Sequence, residues 1–129
     1  MRIYISHSTD RSYDFREFLY APLKQSELAK EHAFIFPHER DYGDDPRNMK
    51  PEIERASFVV AEASYPSTSS GIELAWAHEA GLPIFVLYQH GRDYSRSLLV
   101  LTRYIEYYSG ADDMITKIQK FIDDNSHLR

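Results

Sequence analysis

Residues 57–88 read SFVVAEASYPSTSSGIELAWAHEAGLPIFVLY, and this stretch decides the fold. Phe58-Val59-Val60-Ala61 is a short apolar run rich in β-branched residues, the pattern of a strand covered on both faces. Residues 64–70 are polar and carry Pro66. Residues 71–80 hold the alanines, Leu74 and Trp76 of a helix packed on a sheet. Gly81 then ends that helix, because glycine enters the left-handed region without a Cβ penalty. Pro83 follows, and Ile84-Phe85-Val86-Leu87 is a second buried strand. Two such strands joined by one helix form a βαβ unit with parallel strands.

Glu73 is out of place by polarity. It falls in the expected first helical turn, just past the carboxyl end of the first of these strands. Open α/β sheets bind ligands in the crevice at that end. Two readings stand side by side. Ser70-Gly71-Ile72-Glu73 fits S-x-x-E, a capping box in which the carboxylate bonds back to the Ser70 amide. Alternatively the carboxylate faces a ligand, its pKa lowered by the helix N-terminus.

The flanking chain extends the pattern. Residues 2–6 enter a strand at once, and His7-Ser8-Thr9-Asp10 form a polar loop, with Asp10 or Ser12 as N-cap of the helix that follows. Hydroxyls and amides at such a point suit a phosphate. Residues 13–30 carry apolar residues near the helical period, interrupted at Pro22, where a kink or a new helix start is expected. Residues 33–36 make a short second strand. Residues 37–47 form a loop with four acids, Glu39, Asp41, Asp44 and Asp45, either solvated or lying over a site. A helix is expected over 46–56, with Pro46 near its start and Pro51 as a break or an alternative start. Residues 97–102 suggest a short helix and 104–108 a fifth strand. Ser109 caps a final helix lined on one face by Ile115, Ile118, Phe121 and Ile122. The fold class is α/β: one domain over 1–129, a flavodoxin-like three-layer αβα sandwich around a five-stranded, mainly parallel sheet.

Composition excludes several function classes. A chain of 129 residues, 43% hydrophobic and 27% charged, suits a single globular core. It has no cysteine, hence no disulfide frame and no thiolate metal site. A net charge of −5 argues against a nucleic-acid polymer as partner but not against a small nucleotide. No apolar run reaches membrane-spanning length, and the opening residues lack a signal-peptide core, so a cytoplasmic location away from membranes is expected. The six histidines show no metal-site spacing, and His32, His38 and His78 read as ordinary surface or loop residues. P-loop and G-x-S-x-G patterns are absent.

Residues Ala61, Glu62, Pro66, Ser67, Gly71, Glu73, Gly81, Pro83 and Ile84 together resemble the signature of the nucleoside 2-deoxyribosyltransferase-like family, which includes deoxynucleoside 5′-monophosphate N-glycosidases. The resemblance implies cleavage or transfer of an N-glycosidic bond with Glu73 as nucleophile and Tyr4, inside the first strand, as the residue that holds it. It also implies phosphate contacts from Ser8 and Ser67 and a sugar or phosphate site completed by Ser69 and Gly71. Further implications are a nucleoside or nucleotide substrate, no metal or organic cofactor, and a homodimer or larger homo-oligomer, with Tyr104, Tyr107 and Tyr108 as possible contacts. Three positions depart from the family pattern. Met49 stands where an aspartate usually protonates the leaving base, leaving Asn48, Asp45 or Asp44 as the polar residues nearby. Ser69 and His7 replace glycines, and His7 is a candidate acid or phosphate partner. The opening Ile3-Tyr4-Ile5-Ser6-His7-Ser8 also resembles the start of a TIR-type domain. That resemblance implies a nucleotide-binding or interaction module, or cleavage of NAD.

Overall fold

The computed structural model describes residues 1–39 and 45–128. Five strands, β1 (Arg2–His7), β2 (Ala33–Ile35), β3 (Phe58–Glu62), β4 (Ile84–Gln89) and β5 (Ile105–Tyr108), form one sheet in the order β2-β1-β3-β4-β5. Every pairing is parallel, so the expected mainly parallel sheet is wholly so. Between β1 and β2 lie a π-helical turn (Arg16–Tyr20), α1 (Ala21–Gln25) and α2 (Leu28–Glu31). A 3-10 turn (Pro46–Met49) and α3 (Lys50–Glu54) precede β3. α4 (Thr68–Glu79) joins β3 to β4, and α5 (Gly110–Asp124) follows β5.

The period of two along each strand sorts side chains between the two helical layers. Ile3, Ile5, Phe58, Val60, Phe85 and Leu87 meet Leu19, Leu23, Met114 and Ile118 on the α1 and α5 side. Tyr4, Val59, Ala61, Ile84 and Val86 meet Ile53, Leu74 and Ala77 on the α3 and α4 side. Each large aliphatic or aromatic side chain so covered contributes about 1.5–3 kcal/mol.

Local chemistry sets the element ends, and here the structure corrects several expectations. The helix over 13–30 is three pieces. Pro22, at the second position of α1, lacks a donor and crowds the preceding turn, and the π-helical widening sits at that place. The helix over 46–56 opens as a 3-10 turn, and Pro51 occupies the start of α3. Between β4 and β5 a 3-10 turn (Arg96–Val100) serves as the crossover. The acidic loop is described at Glu39 and Asp45, while Asp41 and Asp44 lie outside the described residues. Gly81 takes φ +76°; its amide reaches the His78 carbonyl and the Leu82 amide reaches the Ala77 carbonyl, so α4 ends in a Schellman motif as its glycine predicts. Among the described residues no helix is long and apolar enough to cross a membrane.

Candidate active site

The start of α4 differs most instructively from expectation. Four residues with hydroxyls follow one another, Ser67, Thr68, Ser69 and Ser70. The extended residue Ser67 is the N-cap, its hydroxyl accepting from the Ser70 amide at 3.1 Å. The helix therefore begins one turn earlier than residue 71, and Glu73 lies in its second turn, facing the sheet. The capping box does not form. Instead Glu73 is clamped by β1: the Tyr4 hydroxyl donates to Oε2 at 2.6 Å and the Ser6 hydroxyl donates to Oε1 at 2.8 Å. The Ser6 and Ser70 hydroxyls bond to each other at 2.6 Å, closing a polar cluster under the helix.

This clamp follows from the strand period. Tyr4 and Ser6 share the face of β1 that α4 covers, and both are fully buried. The β3 partner of Ser6 is Ala61, whose small side chain leaves room for the carboxylate to reach inward. Burial raises the Glu73 pKa above the ordinary carboxylate value, and the Tyr4 and Ser6 hydrogen bonds pull it partly back. The helix-end lowering expected from sequence does not dominate, because the carboxylate sits a turn inside the helix and out of water. No cation pairs with it among the described residues.

Above Glu73 opens a cleft of about 420 Å³. It lies at the carboxyl end of β1, between the residues that follow β2 and the first turns of α4, at the sheet edge where open α/β folds bind ligands. Glu73, Ser69 and Thr68 line it from α4, with Ile72 and Trp76 as an apolar wall. His7 and Thr9 line it from β1, His38 from the end of β2, and Asp45 and Met49 from the turn before α3.

The other expected site residues divide. Ser67 and Gly71 face a second cavity of about 580 Å³ on the far side of the α4 N-terminus, with Tyr94, Ser95 and Ser97 opposite. Ser8 is buried and holds loops together, accepting from the Asp10 amide at 3.0 Å and donating to the Pro66 carbonyl at 3.5 Å. Asn48 is exposed in the turn before α3 and does not line the cleft. Asp45 caps that turn, accepting from the Arg47 amide at 2.9 Å, and its carboxylate is forked by the Arg47 guanidinium at 2.6 and 3.0 Å. The Arg47 hydrogen bonds hold its pKa below the usual range.

His7, the expected acid or phosphate partner, is buried in the cleft wall. Nδ1 lies 2.9 Å from the Ser8 carbonyl, so it carries the proton and donates. Nε2 accepts from the Tyr20 hydroxyl at 2.6 Å. Both ring nitrogens are thus engaged, and burial lowers the pKa to about 4. His7 is a neutral, buried ring that stiffens the cleft wall.

Sequence reasoning missed two residues. Ser6 holds half of the Glu73 carboxylate, and its alternation with Tyr4 on one strand face was the available signal. His38, read as an ordinary surface or loop residue, is exposed in the turn after β2 as expected, but it also lines the cleft, its ring 5.1 Å from that of His7. In a parallel sheet the residues just after each strand gather at one end, and His38 follows β2 there. Among the described residues no group of three or more His, Asp or Glu side chains is placed to hold a metal.

Behind the site, Glu62 ends β3 with its carboxylate accepting from the Ser64 amide at 2.7 Å, the Ser64 hydroxyl at 2.8 Å and the Tyr108 hydroxyl. Ser64 is tied to β4 by the Gln89 amide at 2.7 Å and by Arg92, whose Nε donates to its carbonyl at 3.0 Å. These bonds fix the loop that aims α4 at the cleft.

No protein-family model and no curated protein matches the sequence. Solved structures match its fold. A CMP N-glycosidase from Clostridium botulinum superposes with a TM-score of 0.59 at 18% identity, over 92% of this chain and 99% of that one. A conserved protein from Enterococcus faecalis gives 0.64 at 15% identity, over 94% and 98%. A 2-deoxyribosyltransferase from Bacillus psychrosaccharolyticus gives 0.58 at 17% identity, over 88% and 90%. Across nearly its whole length, the chain has the fold of these proteins.

Proposed function

We propose that this chain cleaves or transfers the N-glycosidic bond of a nucleoside or nucleoside 5′-monophosphate, with Glu73 as the nucleophile. The observation that carries the proposal is the carboxylate clamped at both oxygens by Tyr4 and Ser6, at the floor of a ligand-sized cleft. Cleavage of such a bond passes through an oxocarbenium-like sugar, and a fixed carboxylate beneath C1′ traps it as a glycosyl ester. Holding the carboxylate in place beforehand removes the cost of orienting it during the reaction. The two hydroxyls favour the ionised, nucleophilic form against a burial that raises the pKa overall. Water or a second base then accepts the sugar. Ser69 and Thr68, at the α4 N-terminus, supply hydroxyls and amides for the sugar or a phosphate. The chemistry uses no metal or organic cofactor.

Support comes from the activities of two proteins that share the fold, a CMP N-glycosidase and a 2-deoxyribosyltransferase. A homo-oligomer belongs to the same proposal: Ile72 is 47% exposed on α4 beside Glu73, and Tyr104 and Tyr107 are exposed near the sheet edge. Light scattering that returns a monomer at working concentration would remove that part. A cytoplasmic location is proposed with it.

The test is release of free base from a panel of nucleosides, 5′-monophosphates and NAD, by wild type and by Glu73→Gln of equal folding. Release that the variant loses supports Glu73 as nucleophile, and the panel names the substrate. Equal release by both, or release from NAD alone, overturns it.

A further inference from the structure

A departing base needs a proton, or it leaves as a poorly stabilised anion. The cleft holds four titratable side chains among the described residues: Glu73, Asp45, His7 and His38. Glu73 is the proposed nucleophile. Asp45 is capped and forked by Arg47, which holds it ionised. His7 has both nitrogens engaged, by the Ser8 carbonyl and the Tyr20 hydroxyl. His38 remains.

We propose that the His38 imidazolium is the proton donor to the leaving base. The proposal rests on the glycosidic reaction above and assigns that reaction its acid. His38 is placed for the task from several sides. Its backbone N–H donates to the Tyr20 hydroxyl at 3.3 Å, and that same hydroxyl donates to His7. Its ring packs 5.1 Å from the His7 ring and 5.3 Å from the Phe15 ring, which hold it at the cleft wall. It lines the same cleft as Glu73, from the β2 side, and the proposal places the base of a sugar bound over Glu73 on that side. Neither ring nitrogen has a hydrogen-bond partner among the described residues.

In the first step a Glu73 oxygen bonds to C1′ and the C1′–N bond breaks. Its electron pair passes to the base, which takes the proton of the imidazolium. The products are a glycosyl ester, a neutral base and neutral His38. In the second step water attacks C1′, its proton goes to His38, and the C1′–O bond breaks to return the carboxylate. The sum is one nucleotide plus one water giving one sugar phosphate plus one base, with both residues restored.

The groups that face His38 are neutral His7, Tyr20, the guanidinium of Arg16 from the π-helical turn, and the cleft carboxylates of Asp45 and Glu73. Burial, and then Arg16, lowers its pKa below the usual histidine value. The protonated donor is therefore best populated on the acid side of neutrality, and kcat falls as pH rises through that range.

The experiment measures kcat and KM against pH for wild type and His38→Gln, using the panel member that wild type cleaves best. His38→Asn serves as a second variant if the first melts below wild type. General-acid loss predicts a fall in kcat of about 10²–10⁴-fold and disappearance of the alkaline limb, with KM within a few-fold. A loss of at least ten-fold with the limb gone supports the proposal. A loss below ten-fold, or an alkaline limb that persists, overturns it while leaving Glu73 as nucleophile. Absence of base release by folded wild type overturns the glycosidic reaction itself, and the acid with it.

Discussion

Replacing Tyr4 by Phe tests whether the buried hydroxyl serves catalysis or only packing. The ring is fully buried against the α3 and α4 side of the sheet, and Phe keeps that ring and its contacts. What goes is the 2.6 Å bond to Glu73 Oε2. A hydrogen bond to a charged group contributes about 1.5–3 kcal/mol, which corresponds to about 10- to 150-fold in kcat/KM if the bond matters fully in the transition state. A second effect has a definite sign. The Tyr4 bond lowers the Glu73 pKa against burial, so its removal raises that pKa further. The acid limb of the pH–rate profile then moves to higher pH, because more of the carboxylate is protonated at any given pH. The assay is base release across pH 4–9, a range chosen roughly to bracket carboxylate and histidine titrations. A Tyr4→Phe protein with wild-type kcat/KM and an unmoved acid limb would refute the clamp as a catalytic device and leave Tyr4 a core residue.

The same chemistry makes predictions about stability. Burial raises the folded-state pKa of Glu73, so the folded state holds a proton that the unfolded state releases, and stability from this group is present below the unfolded pKa and lost as pH rises through the folded one. Glu73→Gln, neutral at all pH, should therefore melt above wild type at neutral pH, and the gap should close as pH falls towards about 4; a gap independent of pH would argue against a desolvated carboxylate. Tyr108→Phe removes one of the three donors to the buried Glu62 and should destabilise by about 1–3 kcal/mol in urea unfolding, whereas an unchanged midpoint would mean that Ser64 alone satisfies the carboxylate.

The central βαβ unit is legible because its signals are local: two apolar runs, a glycine with positive φ and a proline beyond it. The site is legible only in part. S-x-x-E at residues 70–73 is a true pattern, but four successive hydroxyl residues each offer a cap, and nothing local says that Ser67 takes the role. Once the helix starts at Thr68, Glu73 turns towards β1, and its partners Tyr4 and Ser6 are 69 and 67 positions away in the chain. No periodicity conveys that pairing. His7 and His38 show the opposite limitation. Sequence alone offered His7 as a reactive group because it lies in the first loop, yet packing saturates both its nitrogens. It set His38 aside for want of motif spacing, yet the parallel sheet carries the end of β2 to the cleft.

Two largely buried carboxylates, Glu62 and Glu73, sit at this end of the sheet, and comparing them bears on why Glu73 is the one proposed as nucleophile. Both have their pKa raised by burial. Glu62 is 2% exposed and accepts three donors, all from its own loop and β5. Its Oε2 accepts the Ser64 and Tyr108 hydroxyls and its Oε1 the Ser64 amide, groups that also tie down the loop before α4, so an attack on an electrophile would disturb those bonds. Among the described residues Glu73 has one donor on each oxygen, both from one strand face, and its partly exposed side chain lines the cleft. A carboxylate oxygen accepts more than one hydrogen bond, so each oxygen of Glu73 keeps a lone pair for a reacting carbon. Two donors orient the group and lower its pKa against burial, and a third would compete with the substrate. On this argument, adding a donor to Glu73 by Ile72→Asn, at the exposed position beside it, should lower the pKa of the acid limb and also lower kcat, since the extra bond must break in the transition state. An Ile72→Asn protein with a lowered limb and an undiminished kcat would show that the number of donors does not limit the nucleophile.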